Sequence, residues 1–94
     1  MTYATHAAAE PTANDFMIRS VTTRMSYIWR KYEAAMIEHH ACRHDAAMEA
    51  EFGSEDVAAV MRRDASECYR AALALRAEWV RLESLRASLI YARD

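Results

Sequence analysis

The chain has 94 residues, 53% of them hydrophobic, and a formal net charge of −2 from 12 basic and 14 acidic side chains. That length holds one domain at most, and much of the hydrophobic share is alanine, so the core is expected to be thin. The near balance of charge argues against a dedicated nucleic-acid binder, which needs a basic excess or a strong basic patch for its phosphate contacts.

Two cysteines, Cys42 and Cys68, do not make a secreted disulfide framework. No basic region followed by an apolar run opens the sequence, and no apolar stretch is long enough to span a bilayer. The expectation is a soluble cytoplasmic protein with reduced thiols.

Residues 1–13 are rich in alanine and threonine, hold the only proline, Pro11, and lack periodicity. They read as a flexible N-terminal arm, with at most a marginal helical turn at Ala7-Ala8-Ala9. Thr12 followed by Asp15 fits a capping box, so helix 1 is expected from about residue 14 to Phe52. Gly53, the only glycine, can close that helix in the left-handed conformation. Ser54 can cap the next, with Glu55 and Asp56 in its first turn. Helix 2 is then expected over about 55–91. A connection of two residues, 53–54, makes the helices antiparallel neighbours. The fold class is therefore all-α, a two-helix hairpin.

Helix 1 carries a seven-residue apolar stripe through Ile18, Val21, Met25, Ile28, Tyr32, Ala35, His39, Cys42 and Ala46. Helix 2 carries another through Met61, Ala65, Cys68, Ala72, Leu75, Trp79, Leu82 and Leu89. This is the spacing of bundle packing, not of strands. Arg86 breaks the second stripe, and Leu85 is expected to take the inward place. The turn sets the register, with residues whose numbers add to about 107 at one level. Ile28 then lies by Trp79, Tyr32 by Leu75, Met25 by Leu82 and His39 by Cys68.

Trp29 and Met36 widen the first stripe; Leu73, Val80 and Ile90 widen the second. Arcs this broad suit three or four helices better than two. Small chains with thin cores often need oligomerisation, and two-fold dimers are the commonest oligomers. A homodimeric four-helix bundle is expected, self-associating through Trp29, Met36, Leu73, Trp79 and Val80.

Between Glu38 and Asp45 the sequence places His39, His40, Cys42 and His44. His40 and His44 share a helix face at the spacing two imidazoles need for one metal. His39 and Cys42 point inward, and Cys68 comes across from helix 2, which would give soft ligands suited to zinc or copper. The structural reading is the stronger one, because cysteine is commonly a small buried hydrophobe and there is no repeated Cys-x-x-Cys or Glu-x-x-His pair. No cofactor is expected, with a His39/Cys42/Cys68 metal site as the alternative. A Cys42–Cys68 disulfide is out of register and disfavoured in the cytoplasm.

Tyr27, Trp29, Tyr32 and Trp79 form an aromatic band in the open half of the hairpin. Core and self-association account best for it, although Tyr27 lies off the stripe and is the member placed to meet something else. Eleven arginines and one lysine are interspersed with acids, mostly as a solvated, salt-bridged helix face. No nucleophilic triad is apparent, one glycine cannot build a phosphate-cradling loop, and a narrow bundle offers no evident cleft. Catalysis is not expected.

In length and hairpin shape the chain resembles the WxG-type secreted helical hairpins. Its turn reads Glu51-Phe52-Gly53 without Trp-x-Gly, and its end reads Tyr91-Ala92-Arg93-Asp94, one residue short of that family's tyrosine-to-acid tail. No residue role is carried over from it.

The function expected is that of a non-catalytic interaction protein that binds another protein as an inhibitor or adaptor, in the manner of small inhibitors that mobile elements encode. Tyr27, Arg30, Lys31 and Arg63 are the candidate partner-binding residues, together with the N-terminal arm. The rival readings are the metal-binding bundle and a nucleic-acid-binding dimer in which symmetry doubles a weak basic face.

Overall fold

The computed structural model describes residues 10–93. Two α-helices in mutual contact account for almost all of them, with no strand among the described residues: α1 is Ala13–Phe52 and α2 is Glu55–Arg93. Neither helix contains a glycine or proline, and both are rich in alanine and other good helix formers. The expected arm and its Ala7-Ala8-Ala9 turn lie largely outside the described residues.

The start of α1 is a reciprocal capping box. The Asp15 N–H donates to Thr12 Oγ1 at 3.2 Å, and the Thr12 N–H donates to Asp15 Oδ2 at 2.8 Å. Two amides without a helical acceptor are thereby satisfied.

The turn corrects one expectation. Gly53 is not left-handed; its φ is −136° and its ψ is −128°. Its N–H still closes α1 by donating to the Glu49 carbonyl at 2.8 Å. The need for glycine comes from Glu49, whose carboxylate folds over the turn and accepts the Ser54 N–H at 3.0 Å. A Cβ at residue 53 would lie 2.3 Å from Glu49 Oε1. Ser54 then caps α2, its Oγ accepting the Val57 N–H at 3.4 Å and its carbonyl the Ala58 N–H at 3.0 Å.

Between the helices the seam follows the seven-residue period. Val21, Met25, Ile28 and Ala46 are buried on α1; Ala58, Ala65 and Ala72 are buried on α2. Ala58 extends the α2 seam one step beyond the Met61 at which the sequence stripe begins. The remaining stripe residues, from Tyr32 and His39 to Leu75, Trp79 and Leu82, are half-buried. Ile28 and Met25, at 2% and 3% exposure, are the largest of the deeply buried side chains, each worth about 1.5–3 kcal/mol of transfer free energy.

Leu85 does not take the inward place expected of it. It is 43% exposed, while Arg86 holds the half-buried seam position. The backbone repeat decides which residue faces the partner helix, and arginine tolerates that place because its methylene stem packs while the guanidinium reaches water.

The contacts across the hairpin lie near the expected register. Trp29 and Trp79 rings meet with centroids 5.5 Å apart, His39 and Tyr69 rings meet at 5.1 Å, and His39 Nδ1 donates to the Ala65 carbonyl at 2.9 Å.

Two outcomes test this packing. Gly53→Ala should force the Glu49 carboxylate aside and cost about 1 kcal/mol, the net value of one hydrogen bond. Glu49→Ala should cost a similar amount, and the double variant little more than either single one. Additive losses in denaturant titration would show that the glycine serves something other than Glu49. Ala72→Leu should overpack the seam and cost about 1–3 kcal/mol, whereas Ala77→Leu on the exposed face should stay within about 0.5 kcal/mol of the native chain. Thermal and urea unfolding would rank the two.

Candidate functional site

The two flanks of the hairpin differ. One is a groove of about 860 Å³ along the open half, lined from α1 by Thr22, Ser26, Trp29, Arg30 and Glu33 and from α2 by Arg76, Val80, Glu83 and Arg86, with Met25 and Trp79 as its floor. Trp29 is held by ring contacts to Tyr32 at 5.1 Å and Trp79 at 5.5 Å. A step of seven residues from Trp29 reaches Met36, and one from Val80 reaches Leu73, so the apolar strip continues towards the turn on the same flank. Trp29, Leu73 and Val80 are 42–48% exposed, which is high for side chains of this size and apolarity. Arg30, Glu33, Arg76, Glu83 and Arg86 ring the groove and form no ion pair among the described residues. Among the described residues the ion pairs are Arg24–Glu78 and Arg62–Glu55.

On the opposite flank Arg24 reaches across to Glu78 at 3.3 Å. Its guanidinium carbon also lies 5.4 Å from the Tyr27 ring centroid, and Lys31 Nζ lies 5.3 Å from the same ring. Two cations over one half-exposed phenol make a compact cationic aromatic face. Beside it a shallower hollow of about 610 Å³ on α1 alone is lined by Phe16, Arg19, Ser20, Thr23, Arg24 and Tyr27.

The structure therefore divides the sequence candidates. Tyr27 and Lys31 come together. Arg30 lies on the other flank, at the groove beside Trp29. Arg63 is exposed on α2 at the level of residue 44 of α1, about 20 Å along the axis from Lys31 at 1.5 Å per residue. Of the self-association candidates, Trp29, Trp79 and Val80 meet at the groove, with Met36 and Leu73 one repeat away. The groove charges Glu33 and Arg76 and the ring of Tyr69 were not singled out by the sequence. They share the Trp29 flank, and a repeat displaced from the seam would have found them.

The histidine–cysteine segment is occupied with packing. His39 donates from Nδ1 to the Ala65 carbonyl, which fixes its proton there, and its ring lies 5.1 Å from those of both His40 and Tyr69. Cys42 donates its S–H to Glu38 Oε1 at 3.8 Å, and both cysteines are free. Among the described residues no three His, Cys, Asp or Glu side chains are grouped to hold a metal ion. Burial in the seam pushes the Cys42 thiol above its ordinary 9.0, and Glu38, Cys68, Asp64 and the bond to Glu38 push the same way. Among the described residues no helix is long and apolar enough to cross a membrane.

The raised Cys42 value sets a direction for stability. The folded chain holds this proton more tightly than the unfolded chain, so the contribution is full below about pH 9 and is lost as pH rises through the folded value. As pH rises through and above the thiol's ordinary 9.0, the native chain should lose denaturation midpoint more steeply than Cys42→Ala; parallel curves would remove Cys42 as the cause. The chain matches no protein-family model, no curated protein and no solved structure.

Proposed function

We propose that this chain is a non-catalytic interaction protein. It pairs with a second copy into a four-helix bundle and binds another protein through the surface left outside, as an inhibitor or adaptor. The observation that carries the reading is the strip of large apolar side chains, Trp29, Leu73 and Val80, standing in water beside the groove. A thin seam of small residues does not cover them, and burial of such a strip is the usual driving force of association.

The cationic aromatic face of Tyr27, Arg24 and Lys31 supports the second half of the reading. It lies on the flank away from the groove, so dimerisation leaves it open. Aromatic rings and arginines are the residues on which protein interfaces concentrate their binding energy, and two cations over one ring suit an acidic segment of the partner.

Replacing Tyr27, Arg30, Lys31 and Arg63 together by alanine should leave helicity intact and cut capture of the partner from host lysate at least about ten-fold, the loss of one good contact. Tyr27→Ala/Lys31→Ala alone should account for most of that loss, because Arg30 and Arg63 stand apart from them. Capture unchanged in the fourfold variant would refute this face.

A further inference from the structure

We propose that the groove flank is covered by the same flank of a second copy, around a two-fold axis parallel to the helices, with both turns at one end and Glu33 of each copy facing Arg76 of the other. This rests on the self-association proposed above and adds which flank is used, which way the copies run and which charges select the arrangement.

Three successive levels of the groove flank carry the inference. The Trp29–Trp79 and His39–Tyr69 ring contacts set the register. In that register Trp29 is level with Val80, Glu33 with Arg76 and Met36 with Leu73. A two-fold axis along the helices lays α1 of one copy on α2 of the other and preserves every level. Each apolar side chain then meets an apolar one, and the acid between them meets the base. All neighbouring helices in the bundle run antiparallel, as in up-down four-helix bundles. An isologous interface must be self-complementary in this way.

The choice of flank follows from the ion pairs. On the opposite flank Arg24 is already joined to Glu78. At the groove Glu33 and Arg76 are level yet form no ion pair among the described residues, so both remain to be matched. The area is also adequate. From Arg19 to Ala47 the flank runs about 40 Å, and two helices make it about 20 Å wide. The product, about 800 Å², is what one partner contributes to a standard stable interface.

Turning the second copy end over end would place α1 on α1, and Glu33 would never meet Arg76. A charge exchange therefore tests both partner and direction. In Glu33→Arg both facing side chains are cationic; in Arg76→Glu both are anionic. Sedimentation equilibrium should show a native dimer, a dissociation constant raised at least about ten-fold in each single variant, and near-native dimers when the two variants are mixed. The single chain carrying both exchanges should also dimerise, and circular dichroism should show every form helical. Native dimers whose single variants associate unchanged, or whose weakened variants are not rescued by mixing or by the double exchange, would overturn this arrangement and leave self-association standing. A native chain that stays monomeric at about 100 μM, far above the dissociation constants usual for an interface of this size, would overturn both.

Discussion

The small residues along the α2 seam govern the rest of this structure. Ala58, Ala65 and Ala72 are buried at intervals of seven, and side chains of that size let two helices approach closely. A close approach leaves little volume between them. The bulkier residues of both helices are then displaced to the edges of the seam, where one neighbouring helix covers only part of each. Trp29, Leu73 and Val80 are exposed for that reason, although each lies within one or two positions of a seam residue. The thin core and the apolar surface have one cause.

The same cause separates the flanks. At the groove the displaced residues are large and apolar, and the charges between them form no ion pair among the described residues. On the other side Arg24 spans the seam to Glu78 and, with Lys31, covers Tyr27. One flank thus presents large apolar side chains to water, whereas the other presents charge around a half-exposed ring. On the function proposed above, that asymmetry gives one narrow rod two separate contacts, one for assembly and one for recognition.

Much of this was legible in the sequence because it depends on period alone. The stripes through Val21, Met25 and Ile28 and through Ala65 and Ala72 face inward as their spacing requires, and Thr12 with Asp15 caps as its spacing requires. The misreadings arose where residue character was allowed to outweigh geometry. Leu85 was preferred to Arg86 for its hydrophobicity, but the helical repeat admits no change of phase within one turn. Gly53 was assigned a left-handed conformation because that is glycine's frequent service at helix ends; the carboxylate of Glu49, four residues earlier, supplied a different reason for the missing side chain. The groove was only half legible. Trp29 and Val80 announce it by size, but Glu33 and Arg76 look like ordinary surface charges until the register places them level.

That register needs an explanation of its own, because alanine seams specify it weakly: one alanine packs much like the next, and a slide by seven residues preserves the pattern. Two features oppose the slide. The short turn closed by Glu49 fixes the separation at one end. About 20 Å further along, His39 packs its ring on Tyr69, a contact that a slide by seven would replace with Arg62 or Arg76. His39, read from the sequence as a candidate metal ligand, also helps through this ring contact to keep Glu33 level with Arg76 and Trp29 level with Val80. Any surface that depends on those levels depends on the short turn and on this ring contact together.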